Sequence, residues 1–200
     1  ELTMACCCIG RMLHGGVIAA CATCFVFSDY MKPAIRMAAL MEVPVTFIFS
    51  HDAFRVGEDG PTHQPVEQEA QLRLLEKLNN HHGKNSLRVL RPADAHETTM
   101  AWKIAMENNA TPTALILSRQ NIQNLPAEND YSGVARGAYV VAASDPDFDI
   151  VLLASGSEVS TLIAGAALLA EDGIKTRIVS IPSEGLFRQQ STEYQHSVIP

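Results

Sequence analysis

The chain has 200 residues, 47% of them hydrophobic and 18% charged, enough apolar material for one large domain or one and a half ordinary ones, which excludes a disordered polypeptide. A formal charge of −7 with no run of Lys and Arg excludes a nucleic-acid footprint and a basic membrane-surface patch, so an anionic ligand must be met by local positive groups. No stretch approaches a membrane span and the opening residues lack the basic start and cleavage pattern of a signal peptide, so the expected location is the cytoplasm.

The first residue is Glu1 rather than Met, and the last, Pro200, follows the apolar pair Val198-Ile199; the expectation is a fragment. Cys6, Cys7, Cys8, Cys21 and Cys24 all lie in the first 24 residues. An odd count in a non-secreted chain does not read as a disulfide framework, and no second CxxC follows to complete a zinc site, so these thiols are expected in the core. Phe25, Phe27 and Tyr30 form an aromatic cluster before a helical stretch from Lys32 to Met41. Such spacing suits core packing or a flat heterocycle stacked on one ring, and both readings stay open. Residues 43–49 read as a strand ending at Ser50-His51-Asp52.

Next comes Gly57-Glu58-Asp59-Gly60-Pro61-Thr62-His63-Gln64-Pro65, two acids and a histidine between chain-bending residues. Gly57 and Gly60 permit positive φ and Pro61 fixes its own, so the loop can hold one turned shape. Pro65 suits a first helical position with Glu67 in the first turn, which places His63 just outside a positive, anion-attracting helix terminus. Asp59 is expected to pair with His63 and poise it for proton shuttling. His81-His82 reads as a solvated loop or a metal pair.

Residues 87–90 form the next predicted strand, ending at Arg91-Pro92, and Asp94 with Glu97 is a capping pair for a helix through about Glu107. Trp102 and the methionines read as core. Residues 113–117 form a third strand, ending at Ser118-Arg119-Gln120-Asn121, and residues 125–137 have linker composition. Beyond it, residues 150–154, the turn Ser155-Gly156-Ser157-Glu158, an apolar helix to Glu171 and residues 176–181 make one β-α-β unit. The Gly156 turn reads as structural or, more weakly, as a phosphate loop. Two strands and a helix cannot bury a core alone, so this second domain is expected to be truncated.

The repeated order of apolar run, polar turn and helix is that of a parallel α/β sheet. Ligands in open α/β sheets collect beyond the carboxyl ends of the strands, where His51 and Arg119 both fall. His51, Glu58, Asp59, His63 and Arg119 therefore either converge on a small phosphorylated or hydroxylated ligand or form an exposed, capped turn in which Arg119 pairs with an acid.

Taken together, His51-Asp52, the string from Val56 to Gln68, Arg91-Pro92-Ala93-Asp94 and Leu117-Ser118-Arg119-Gln120-Asn121 resemble transketolase, with the motifs in the expected order. Gly156-Ser157-Glu158-Val159 and Ser197-Val198-Ile199-Pro200 resemble its carboxyl-terminal domain. The resemblance implies a parallel-sheet α/β pyrimidine-binding domain at residues 1–125, a linker at 126–137 and a truncated second α/β domain at 138–200.

It further implies transfer of a two-carbon ketol unit from a ketose phosphate to an aldose phosphate, as in the pentose phosphate pathway, with thiamine diphosphate and Mg or Ca as cofactors. By resemblance, Glu1 hydrogen-bonds the aminopyrimidine and promotes catalysis, and Met4, Gly10 and Leu13-His14-Gly15-Gly16 line up behind it. Phe27 and Tyr30 line the pyrimidine pocket, and His63 stands beside the cofactor and donor hydroxyls. Asp59 meets a substrate hydroxyl, His51 and Arg119 bind substrate, and Arg119 takes the phosphate.

Leu2-Thr3, Cys24 and Arg55 depart from the family pattern, Cys24 standing where an aromatic is expected, and the stretch 74–85 reads as a surface insertion. The Gly-Asp-Gly motif of the diphosphate and metal domain is absent. The implied partners are sugar phosphates and the diphosphate-binding domain of a second subunit in a homodimer, without which the chain is expected to be inactive. A dihydroxyacetone synthase-like enzyme shares the loop. A split subunit or degenerate non-catalytic module is the alternative of another class.

Overall fold

A computed structural model describes residues 1–53, 56–126, 130–143 and 147–200. In chain order the elements are α1 (Leu2–His14), β1 (Ala20–Cys24), α2 (Ser28–Leu40), β2 (Thr46–Ser50), α3 (Gln68–Glu76), β3 (Arg88–Leu90), α4 (Ala95–Glu107), β4 (Thr113–Ile116), β5 (Tyr139–Ala143), β6 (Ile150–Ala154), α5 (Glu158–Glu171), β7 (Thr176–Ser180), α6 (Glu184–Arg188) and α7 (Thr192–Val198). Short 3-10 turns occupy Phe25–Phe27, Gly57–Asp59, Pro61–His63 and Tyr131–Arg136. The chain divides into two compact units, residues 1–90 with 102–120, and residues 91–101 with 121–200.

In the first unit the strands pair in the order β1-β2-β4-β3, all parallel, as the alternation of apolar runs and helices predicts. Val45, Phe47, Phe49, Ala114 and Ile116 are almost fully buried in this sheet and pack with Phe25, Met31 and Ile35. The predicted strands at 43–49, 87–90 and 113–117 correspond to β2, β3 and β4, each shortened at an end.

Two elements of the first unit escaped the sequence reading. The β1 strand is Ala-Cys-Ala-Thr-Cys, poor in the branched and aromatic residues that signal a strand, and exists because it pairs with β2 along its whole length. The α1 helix buries Ala5, Cys8 and Ile9, a narrow stripe at helical spacing, while Cys6 and Cys7 are exposed. This corrects the assignment of every cysteine to the core: successive residues on a helix are about 100° apart, so three in a row cannot all face inward. Cys21 is buried, and desolvation together with the neighbouring Cys8 pushes its thiol up to about 12. All five cysteines are free.

The structure also moves the start of α3 from Pro65 to Gln68, with Glu67 at the N-cap position but making no side-chain capping bond, and the proline that opens a helical turn is Pro61. His63 therefore ends a 3-10 turn instead of standing outside a helix terminus. Among the methionines read as core, Met31 is buried but Met37, Met41 and Met106 are exposed, and Trp102 is only partly buried. His81 and His82 are exposed, and His82 Nδ1 lies 2.8 Å from Glu42 Oε2, which ties the 79–85 loop to the end of α2.

The second unit contains the expected β6-α5-β7 crossover, to which β5 adds as an antiparallel neighbour of β7 in the order β5-β7-β6. Ala138, Val179 and Val198 form its buried cluster, so β5 and α7 supply the packing that a lone crossover lacks. Residues 131–136 of the expected linker form a turn that Asp130 caps by accepting a bond from the Ser132 amide at 2.9 Å.

At the Gly156 turn the Arg91 guanidinium makes a forked pair with Glu158 at 2.9 and 2.7 Å and a 3.2 Å bond to Ser155. A Cβ on Gly156 would fall 2.8 Å from Arg91 Nε. The glycine is there for close approach, and the turn holds a guanidinium.

Asp94 accepts the Glu97 amide at 2.7 Å, the cap expected from their spacing. Glu97 itself has no exposure. Its carboxyl accepts from the Ala93 amide (2.7 Å), the Tyr139 hydroxyl (2.8 Å) and the Ser180 hydroxyl (2.6 Å), joining α4 to β5 and β7. Burial raises its proton affinity above the ordinary value of 4.5 despite these donors.

The folded state therefore holds this proton more tightly than the unfolded chain. The associated stability is present below pH 4.5 and declines as pH rises through the folded value. Glu97→Gln, which cannot titrate, is expected to flatten this decline, measured as the difference between urea-unfolding free energies at pH 4.5 and pH 7. Gly137→Ala should cost about 3 kcal/mol or more, since φ is +86° and a Cβ would lie 2.3 Å from Phe187 N and Ser183 O. The same unfolding measurement checks it.

Candidate active site

Four parallel strands deliver their carboxyl ends to one edge of the first sheet, and the register sets Cys24 beside Ser50 there. Past Ser50 the chain turns at His51, a non-glycine residue with φ of +63°. The turn is pinned on both sides, because Leu117 N donates to Phe49 O at 2.7 Å and Asp52 N donates to Leu117 O at 3.2 Å. A left-handed residue held between two ladder bonds is strained, and such strain gathers at functional positions.

His51 Nδ1 lies 2.9 Å from Ser50 Oγ and 3.7 Å from Cys24 Sγ. Its Nε2 faces Asp59 Oδ2 at 3.7 Å, and Arg119 Nε meets that same oxygen at 2.6 Å. The three side chains retain 23%, 28% and 36% of their exposure in the order His51, Asp59, Arg119, so this charged cluster is reachable from solvent. A Cβ on Gly57 would come within 3.7 Å of Arg119 NH1, and its φ is +79°, so the loop backbone passes close under the guanidinium.

The structure separates the acid and the histidine that were expected to pair. Asp59 is taken by Arg119 and His51, while His63 Nδ1 lies 2.9 Å from Thr62 Oγ1. The 3-10 turns at Gly57–Asp59 and Pro61–His63 explain this, since Gly60 at φ +77° reverses the chain between them. Glu58 is exposed and forms no part of the cluster.

The His63 ring meets Phe27 edge-on at 5.2 Å between centroids, and Phe27 stacks with Tyr30 at 5.9 Å. Phe25 turns the other way and packs on Phe49 in the core. Of the aromatic cluster, one member is core and two offer ring faces outward, with Tyr30 63% exposed. Gln64 holds the loop in place by donating to Ala53 O at 2.7 Å.

Glu1 sits at the N-cap of α1, but its side chain makes no capping bond. Thr23 Oγ1, one residue from Cys24, donates to its carboxylate at 3.4 Å. Glu1 is exposed at the β1 end of the site. Leu2 and Thr3 are exposed in the first turn of α1, and Arg55 lies outside the described residues.

Sequence reading missed Ser50, Cys24 and Thr62 as neighbours of the two histidines. A hydroxyl residue directly before each histidine was the available signal. No group of three or more His, Cys, Asp or Glu among the described residues could hold a metal ion. No described helix is long and apolar enough to cross a membrane.

Residues 1–124 match the family described as transketolase, pyrimidine binding domain, and residues 137–200 match the transketolase-like TK C-terminal domain. A transketolase of Halalkalibacterium halodurans is 50% identical over 193 residues, covering 96% of this chain and 28% of that protein. One from Bacillus subtilis is 48% identical over 194 residues with the same coverage. Among solved structures, transketolase from Leishmania mexicana superposes with a TM-score of 0.88 at 39% identity, over 100% of this chain and 28% of that one. The Campylobacter jejuni transketolase gives 0.84 at 38% identity, over 100% and 30%. The chain spans little more than a quarter of the length of these relatives, and across that span it belongs to the transketolase family.

Proposed function

We propose that these residues form the pyrimidine side of a thiamine diphosphate-dependent transketolase that moves a two-carbon ketol unit from a ketose phosphate to an aldose phosphate. The observation that carries this reading is the 5.2 Å contact between Phe27 and His63, because it joins an aromatic surface to the acid–histidine loop. One face suits a flat heterocycle, and the adjoining cluster of His51, Asp59 and Arg119 suits a phosphorylated polyol.

The residues present fit the pyrimidine end of the cofactor. Phe27 and Tyr30 offer half-buried and exposed ring faces, and the Glu1 carboxylate is not spent on capping. No metal-holding group occurs among the described residues, and we assign Mg or Ca and the diphosphate to a domain outside these residues, carried by a second subunit. Exposed Leu2, Leu13, Val17, Ile18, Met37 and Leu40 support a covering partner for this unit.

When bound, thiamine diphosphate supplies the carbon nucleophile of the transfer. Glu1 hydrogen-bonds the aminopyrimidine, and His63 moves a proton at a donor hydroxyl. Asp59 accepts from a substrate hydroxyl. Arg119 presents a planar fork to the phosphate and His51 adds a donor beside it. Asp59 already neutralises Arg119, so a phosphate joins an arranged cluster and competes with an internal carboxylate for the same guanidinium.

Calorimetric titration of these 200 residues with thiamine diphosphate and magnesium should show no submicromolar binding; tight binding would overturn the assignment of the diphosphate site to another domain. In the complete enzyme, Glu1→Gln should lower kcat by about 10² to 10⁴. Arg119→Ala should raise KM for phosphorylated sugars about tenfold or more while leaving unphosphorylated analogues within about twofold. Equal effects on both substrate classes would remove Arg119 from the phosphate.

A further inference from the structure

We infer that Ser50 is a positioning residue that holds the His51 ring, by a hydrogen bond to Nδ1, with Nε2–H facing the Asp59–Arg119 pair. Successive side chains of an extended strand point to opposite faces, so a strand-final serine would not ordinarily reach the next residue's ring. Here the positive φ of His51 turns its ring back, and Ser50 Oγ lies 2.9 Å from Nδ1. The ladder bonds of Phe49 and Asp52 to Leu117 keep that turn in place.

The direction of the hydrogen bond follows from what the other nitrogen meets. Nε2 faces a carboxylate oxygen at 3.7 Å. A bare Nε2 would set its lone pair against that oxygen, whereas Nε2–H is attracted to it. With the proton on Nε2, Nδ1 is the acceptor and the Ser50 hydroxyl is its donor. Cys24 Sγ, at 3.7 Å from the same nitrogen, is a second and weaker donor of the same sense. A hydroxyl or a thiol can also accept from a ring N–H, so Asp59 selects this tautomer and Ser50 holds the ring by completing it.

The consequence rests on the proposed role of His51 and Arg119 in binding substrate phosphate. A neutral imidazole with Nε2–H offers a donor to an anion. The opposite tautomer would offer a lone pair and repel it. Ser50 would then govern affinity for phosphorylated substrates without touching them.

The test uses histidine-labelled protein and nitrogen NMR, which reads the protonation of each ring nitrogen directly. His51 should be Nε2–H in the parent chain with its Nδ1 resonance displaced by the hydrogen bond from Ser50; that displacement should be lost in Ser50→Ala and return in Ser50→Thr, which keeps the hydroxyl. In the complete enzyme, Ser50→Ala should raise KM for phosphorylated sugars about tenfold with kcat changed less than about twofold, and Ser50→Thr should restore it. An unaltered His51 spectrum in Ser50→Ala, or a Ser50→Thr variant as impaired as the alanine, would overturn the assignment. Loss of the Nδ1 displacement without any phosphate-dependent change in KM would uphold the role of Ser50 and overturn the phosphate role of His51.

Discussion

Parallel pairing of β1, β2, β4 and β3 is the constraint from which the rest of the first unit follows. Parallel neighbours cannot be joined by a tight turn, so each return needs a helix, and the carboxyl ends of all strands collect at one edge. Residues far apart in the chain meet there because of that geometry: Cys24 at the end of β1, His51 after β2 and Arg119 after β4. The Gly57–His63 loop rises from the same edge and supplies the acid and the second histidine.

The site divides its work between two kinds of surface. Phe27, Tyr30 and the edge of His63 offer apolar area and flat faces, which bind by burial and tolerate small displacements. His51, Asp59 and Arg119 contact one another by direction and charge, where displacement matters far more, and they are held by local constraints. His51 is fixed by ladder bonds on either side, Asp59 by Arg119, and the loop by Gln64 on Ala53. The second unit uses another device, the buried Glu97 carboxyl of α4 that accepts from the Ala93 amide before the helix and from β5 and β7 at once. A half-satisfied carboxyl there would be costly, so these three donors act together.

Much of this was legible along the chain because it is local. The strands at 43–49, 87–90 and 113–117 announce themselves by apolar runs that end in polar turns, and the Asp94 cap by its spacing to Glu97. The elements that escaped are those whose stability comes from their neighbours. The β1 strand has weak propensity and is held by β2, α1 shows only a three-residue buried stripe, and β5 gains its place from β7. The misplaced α3 start came from reading Pro65 as an opening residue when Pro61 performs that part in a shorter turn.

The candidate site shows the same division more sharply. Sequence by itself determined the family, the alternation that makes a parallel sheet, and the identity of the groups able to meet an anion and a heterocycle, because residue type and spacing are properties of the chain. Only the tertiary structure decided the partners. It gave Asp59 to Arg119 and His51 instead of His63, brought Phe27 to His63, and set Ser50 against His51. Hydrogen bonds and ion pairs depend on distances of a few ångströms and on the turn of single residues such as His51 and Gly60, and those are fixed by packing between elements far apart in sequence.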